Sequence, residues 1–141
     1  MCGPASLKMI LEYFGVEKSE KELGRLTYCV LSRGTKAENI VSTAKRLGFN
    51  ALIKDRANFN DIKKYLAQEI PVIVDWFSKD EGHYSVAVGI DKKNIYLQDP
   101  EIGGIRKLPI EIFQRVWFDF PGKFIKSKDV LILRRLIVIR K

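Results

Sequence analysis

The feature that most constrains this chain is a change in hydrophobic period at Ile70-Pro71. Before that point, apolar residues recur at the spacing of amphipathic helices, and after it they follow the shorter period of strands. Helical segments followed by strand segments predict an α+β fold, with N-terminal helices packed on an antiparallel β-sheet. The sequence shows no internal repeat or linker, so we expect a single domain over residues 1–141.

The first helix is the clearest predicted element. Gly3-Pro4 opens it, because proline suits the first helical turn, and Gly15 ends it. Capping-box patterns at Ser19/Glu22 and at Thr35/Glu38 predict the starts of a second and a third helix. Two further helices are predicted over residues 61–68 and 109–118. One apolar stripe marks the buried face of the first helix: Leu7, Ile10, Leu11 and Phe14.

Strands are predicted over residues 51–54, 72–76, 83–90 and 95–98, and residues 130–139 form a strand pair or one long strand. Asp99-Pro100 and Gly103-Gly104 are interpreted as breaks that end the strand at residues 95–98. Residues 83–90 alternate, and the face that carries His83 otherwise has small side chains. Because small residues allow close approach, we expect the first helix to pack on that face. The apolar C-terminal segment is interpreted as a core strand rather than an interaction strand.

Composition excludes several classes of protein. With 46% hydrophobic and 30% charged residues, the chain is typical of a soluble globule, and its apolar runs are too short to span a membrane. No signal peptide is apparent, so we expect a cytoplasmic protein. The net charge of +8 comes from scattered residues without a nucleic-acid-binding motif, which favours a solvated basic surface over nucleic-acid binding. One histidine excludes a His-rich metal site, and no cofactor is expected.

Three residues form a candidate nucleophilic set: Cys2, His83 and Asp99. Cys2 lies at the start of a helix, where free N–H groups and the helix dipole lower a thiol pKa and can hold an oxyanion. His83 is the chain's single imidazole, and Asp99 could orient it, as in papain-like enzymes. Taken singly, each residue has a structural interpretation: a frayed terminus, a structural histidine and a turn.

The register of one hairpin tests this set. With an even loop between the strands at 83–90 and 95–98, His83 and Asp99 would lie on opposite faces. An odd loop or a bulge would place Asp99 opposite Ser85, on the face of His83 and one diagonal step away. We predict the odd loop or the bulge.

The sequence resembles a known family at three places. The segment CGPASLKMILEYFG, from Cys2, resembles the nucleophile helix of the C39 peptidases and their C39-like relatives. GHYSVAVGID, from Gly82, is similar to their histidine strand, LQDP, from Leu97, to their Asp-Pro end, and residues 113–117 to their C-terminal helix. The resemblance implies a papain-like fold, with Cys2 as nucleophile, His83 as general base and acid, and Asp99 as orienter. It implies a peptide or protein substrate, and bacteriocin-exporting ABC transporters carry such domains, which cut leader peptides after a double glycine.

The chain departs from the family's pattern at one position. The family places an oxyanion glutamine several residues before the cysteine, where this sequence has only Met1; Gln68 and Gln98 do not fit that position. The alternatives are a natural protein that begins upstream, an impaired enzyme that binds a peptide or leader without cutting it, or a free amine of Cys2 after loss of Met1. A stand-alone protein and an excised transporter domain both fit the sequence.

Other residues receive weaker interpretations. Cys29 lies among apolar residues and is expected to be buried and inert. Aromatic residues near the candidate set either line a cleft or belong to the core: Trp76, Phe77 and Tyr84.

Overall fold

The computed structural model describes residues 2–30, 34–79 and 81–141. None of the helices among these residues is long and apolar enough to cross a bilayer. The helices are α1 (Cys2–Tyr13), α2 (Glu20–Leu26), α3 (Ala37–Arg46), α4 (Phe59–Ala67) and α5 (Ile110–Val116). The strands are β1 (Asn50–Lys54), β2 (Val72–Ser78), β3 (Glu81–Ile90), β4 (Asn94–Asp99), β5 (Gly104–Pro109), β6 (Phe118–Asp119), β7 (Ile132–Leu133) and β8 (Arg135–Arg140).

The main sheet has six strands in the order β1-β8-β2-β3-β4-β5, and each adjacent pair is antiparallel. Three helices precede most of this sheet in the chain, which confirms the predicted α+β class. Strand β8 lies between β1 and β2, and residues 136–139 are buried. The C-terminal apolar segment is therefore a core strand, as predicted.

The two faces of the sheet carry separate hydrophobic clusters. One joins Leu7 and Leu11 of α1 to Tyr84 and Val86 of β3. The other joins Ala87 of β3 to Ile62 of α4, Phe113 of α5 and Trp117, which directly follows α5. The prediction that α1 packs on the His83 face is therefore wrong. The apolar stripe of α1 packs on the larger residues of the alternate face, and aromatic side chains fill the space above the small ones.

Capping accounts for the helix starts. Ser19 Oγ accepts a hydrogen bond from the Glu22 N–H at 3.0 Å, so the predicted cap of α2 is confirmed. Helix α4 begins earlier than predicted because Asn58 and Asp61 form a reciprocal capping box. The Thr35 cap is wrong: α3 is preceded by Lys36, without a side-chain cap.

The sequence interpretation missed β5 and β6. Gly103 is in the left-handed region (φ 65°) and turns the chain between β4 and β5, so the glycines treated as a break form a hairpin turn. The final segment is two strands in different sheets, since β7 pairs with β6 while β8 joins the main sheet. Arg134, also at positive φ (48°), separates them.

Candidate active site

Cys2 is the first residue of α1 and is partly buried. Its Sγ accepts a hydrogen bond from the backbone N–H of Tyr84 at 3.4 Å. The Tyr84 hydroxyl donates to the carbonyl of Thr35 at 2.9 Å, and Thr35 packs so tightly on Gly3 that an added Cβ there would lie 2.8 Å from the Thr35 Cβ. These contacts fix the start of α1, and with it the thiol, against β3 at the residue that follows His83.

His83 and Asp99 are in direct contact. His83 is buried, and its Nε2 lies 2.5 Å from Asp99 Oδ1. The edge of the imidazole meets the Trp76 ring, with centroids 5.6 Å apart, and Trp76 is held in turn by a hydrogen bond from its Nε1 to Ser85 Oγ at 3.0 Å. With Nε2 facing Asp99, Nδ1 is the ring nitrogen left for a proton donor such as a thiol.

A β-bulge brings His83 and Asp99 to one face. Val86 pairs with Gln98 and Ala87 with Leu97, but the next pair is Gly89 with Tyr96, so Val88 is the extra residue. Continuing the register by one step places Asp99 opposite Ser85, as predicted. The bulge, and not an odd loop, produces this register, since the pairing of Ile90 with Ile95 leaves four residues in the turn.

Charged residues that the sequence interpretation missed surround this pair. Glu101 Oε2 lies 3.5 Å from His83 Nε2, and the Glu101 N–H donates to Asp99 Oδ1 at 3.0 Å. Arg106 Nε lies 3.0 Å from Asp99 Oδ2, and Lys79 Nζ lies 3.0 Å from Glu101 Oε1. The signal that could have found them is position: Glu101 follows the Asp-Pro end, and Arg106 lies on the unrecognised strand β5.

Three of these groups could in principle hold a metal ion. His83, Asp99 and Glu101 each offer one ligand atom, and the three atoms lie within 4.8 Å of one another. Nitrogen and oxygen donors suit a divalent cation. Arg106 and Lys79 each form an ion pair with one of the two carboxylates, so positive side chains already balance their charge.

The expected lowering of the Cys2 pKa is wrong. Burial raises the pKa of the Cys2 thiol, and the charge of Asp75 raises it further, whereas hydrogen bonds from the N–H groups of Tyr84 and Gly3 lower it. The helix start thus lowers the pKa of the thiol by less than the loss of water around the sulfur raises it.

A buried acid lies close to the thiol. Asp75 of β2 is 2% exposed, and burial together with the hydrogen-bonded carboxyl of Asp119 raises its pKa well above the ordinary value. Two carboxyl groups in contact cannot both ionise cheaply, which is why the neighbouring carboxyl raises the pKa of Asp75. Arg135 lies near enough to oppose this shift in part.

Asp75→Asn is expected to flatten the pH dependence of stability. The folded-state pKa of Asp75 is raised, so its contribution to the free energy of unfolding is fully present below the unfolded pKa of about 3.9. As the pH rises from the unfolded to the folded pKa, that contribution is lost at about 1.4 kcal/mol per pH unit. The asparagine amide can donate to Asp119 without a proton to lose, so the variant should be the more stable one at pH 8. Urea unfolding from pH 4 to pH 8, with the exposed Asp129→Asn as control, measures this; parallel curves for wild type and Asp75→Asn would contradict it.

Gly82→Ala is expected to destabilise the fold by about 1–3 kcal/mol, because a Cβ there would overlap both carboxylate oxygens of Asp119. Gly89, on the same strand, is the matched control: its added Cβ would meet Tyr96 at an ordinary 3.4 Å. Denaturant midpoints for the two alanine variants provide the test. Equal midpoints would show that Asp119 does not pack over β3 in this way.

The remaining candidates divide between core and surface. Trp76 and Tyr84 are buried, so both belong to the core although they contact the site. Phe77 is partly exposed and stacks on Phe118 and Phe120, at centroid distances of 5.1 and 5.3 Å. Cys29 is only partly buried, which corrects the expectation of full burial: Tyr28, at positive φ (56°), turns the chain toward solvent just before it.

Comparison with known proteins agrees with the geometry. The model of the peptidase C39 family matches residues 1–120. The Lactococcus lactis protein named lactococcin transport/processing ATP-binding protein LcnC-like is 31% identical over 82% of this chain, which corresponds to only 16% of that protein's length. The peptidase domain of Streptococcus ComA, a bifunctional ABC transporter, has a TM-score of 0.78 and 25% identity over 99% of this chain and 90% of its own. A double glycine motif protease from a transporter, solved with its leader peptide, has a TM-score of 0.73 and 24% identity, over 99% of this chain and 83% of its own.

Proposed function

Since the chain belongs to the peptidase C39 family, with a papain-like fold, we propose that it hydrolyses peptide bonds through Cys2, His83 and Asp99. One observation carries the proposal. The imidazole of His83 contacts Asp99 through Nε2, and the Cys2 sulfur is bonded to the backbone N–H of the next residue, Tyr84. The Cys2 sulfur thus lies at the β3 residue next to His83, although residues 2 and 83 lie far apart in the sequence.

The proposed reaction proceeds in two halves. His83 Nδ1 takes the Cys2 proton, and the sulfur attacks the carbonyl carbon of the scissile bond to form a tetrahedral intermediate. The Cys2 backbone N–H, at the free end of α1, can donate to the oxyanion. His83 then gives the proton to the leaving amine, which leaves a thioester on Cys2. Water, deprotonated by His83, attacks that thioester and releases the acid and the thiol.

The surroundings of the thiol explain why the proposed reaction uses an ion pair between a Cys2 thiolate and a His83 imidazolium. Because burial raises the Cys2 pKa, ionisation is favourable only when the released proton stays nearby as an imidazolium. In this proposal the buried carboxylate of Asp99 stabilises that imidazolium and holds its Nε2, which leaves Nδ1 for the sulfur.

The proposed substrate is a peptide with a leader that ends in a double glycine, and the proposed partner is an ABC transporter. Support comes from the similar proteins: one is named as a lactococcin transport and processing protein, and another is a double glycine motif protease with a leader peptide bound. A glycine pair fits such chemistry, since it lets a peptide backbone approach a nucleophile without a side chain between them.

The test uses two synthetic peptides that differ only at the glycine pair, one with Gly-Gly and one with Ala-Ala. Incubation with the 141-residue chain, followed by mass spectrometry, should show cleavage after Gly-Gly and at least tenfold slower cleavage of the other peptide. Cys2→Ala should remove all cleavage, whereas Cys29→Ser, the matched cysteine control, should cleave like wild type. Equal cleavage by Cys2→Ala and wild type would refute the proposal.

A second candidate function is peptide binding without cleavage. The raised pKa of Cys2 favours it, since a thiol that stays protonated is a poor nucleophile. Fluorescence anisotropy of the labelled Gly-Gly peptide separates the two candidates. Binding by wild type with no cleavage product after prolonged incubation would establish the second.

A further inference from the structure

Arg106 lies on β5 and faces the carboxylate of Asp99 from the side opposite His83. Strands β4 and β5 pair Leu97 with Arg106 and Asp99 with Gly104, so Arg106 is one diagonal step from Asp99 on the same face of the sheet. Gly104, directly opposite, has no side chain that could shield Asp99. The guanidinium reaches across, with Nε 3.0 Å from Asp99 Oδ2.

Burial makes this contact important. The Asp99 side chain is 0% exposed, and an isolated buried carboxylate would take up a proton rather than stay charged. Its Oδ1 already faces His83 Nε2 and the Glu101 N–H. Its Oδ2 makes no regular hydrogen bond, so the ion pair with Arg106 is the contact that compensates its negative charge.

The Arg106 guanidinium is itself held in place. Its Cζ lies 5.6 Å from the centre of the Trp76 ring, and the same ring meets the edge of His83. Arg106 Nη2 lies 3.8 Å from Glu101 Oε2, the second carboxylate beside His83. One aromatic side chain therefore sets the positions of both the imidazole and the cation.

We propose that Arg106 is a positioning residue that holds the Asp99 carboxylate in place and directed at His83 Nε2. The proposal rests on the proposed role of His83 as the base for Cys2. Without Arg106, the buried Asp99 Oδ2 has no compensating positive charge and the carboxylate turns away from His83, so the imidazolium loses its partner and the ion pair between Cys2 and His83 becomes less populated. Arg106 acts through Asp99.

Alkylation of Cys2 by iodoacetamide tests this without requiring peptide cleavage. All variants are made in a Cys29→Ser background, so that a single thiol reacts. The alkylation rate is followed from pH 4 to pH 10, where ionisation of the thiol beside imidazolium gives a lower limb and loss of the imidazolium proton gives an upper limb. Arg106→Met should lower the alkylation rate at pH 6 about tenfold. It should also shift the upper limb to lower pH by about one unit, because one pH unit corresponds to a tenfold change in the protonation equilibrium of the imidazolium.

Two further variants distinguish a positioning role of Arg106 from a structural role. Arg106→Lys keeps the charge and should restore most of the rate, and Lys107→Met, the neighbouring residue on β5, should leave the profile unchanged. In an Asp99→Asn background, Arg106→Met should have no further effect, because Arg106 acts through Asp99. An unchanged or upward-shifted upper limb in Arg106→Met, or equal losses with and without Asp99, would overturn the inference.

The same profiles show separately whether the proposed function fails. If wild type and His83→Ala react alike at every pH, the base assignment itself is wrong. If His83→Ala loses the lower limb while Arg106→Met matches wild type, only the role of Arg106 is wrong.

Discussion

His83→Ala is expected to reduce peptide hydrolysis on the order of 10³- to 10⁶-fold, the largest loss of any substitution that leaves the thiol in place. His83 is the chain's single imidazole, and it would serve three steps in turn: deprotonation of Cys2, protonation of the leaving amine and activation of water. Since burial raises the Cys2 pKa, the thiol depends on a nearby base for its ionisation. The measurement is the initial rate of Gly-Gly peptide cleavage.

Controls separate loss of chemistry from loss of fold. His83 is buried against Trp76, so the thermal midpoint of His83→Ala must be measured with its activity. Added imidazole should restore part of the activity, because the cavity left by the side chain can admit a free ring. A folded His83→Ala protein that cleaves within tenfold of wild type would contradict the assignment.

Asp99→Asn is expected to lower hydrolysis on the order of 10²- to 10⁴-fold with little change in substrate binding. The amide keeps the shape of the side chain but removes the charge that stabilises imidazolium, and its NH₂ group can face Nε2 and favour the wrong tautomer of His83. The loss should therefore appear in kcat rather than KM. Steady-state kinetics on the Gly-Gly peptide measure both.

Asp91→Asn is the matched control for this change. Asp91 lies at the other end of the same hairpin, is exposed, and bonds to the N–H groups of Lys93 and Asn94 and to the Tyr96 hydroxyl. Asp91→Asn should retain wild-type kcat. A similar loss in both variants would mean that hairpin stability, and not the charge beside His83, controls the rate.

The sequence predicted the register of one hairpin more accurately than the packing around it. The register of Asp99 could be argued from period and loop parity, because a strand's side chains alternate strictly and only a bulge or an odd loop brings Asp99 to the face of His83. The choice of face for α1 could not be made in this way. It depends on how Tyr84, Phe113 and Trp117 share the volume above and below the sheet, which a pattern of small residues does not show.

The pKa of Cys2 and the role of Arg106 were beyond sequence reasoning for a related reason. Position at a helix start is visible in CGPA, but the burial of the thiol that opposes it arises only in the folded chain, and the charge of Asp75, which raises the pKa further, lies more than 70 residues away in the sequence. Arg106 lies on a strand that two glycines concealed, and its contact with Asp99 arises only when β5 pairs with β4. Long-range pairing supplies both effects, and local patterns do not encode it.

The most direct test of the central claim is to trap the acyl-enzyme. The 141-residue chain is mixed with the Gly-Gly peptide, quenched in acid within one turnover and analysed by intact-mass and peptide mass spectrometry. We expect an added mass equal to the N-terminal fragment of the substrate, carried by Cys2 as a hydroxylamine-sensitive thioester and absent from Cys29. Cleavage that persists in Cys2→Ala, or an acyl group carried by any residue other than Cys2, would contradict this account.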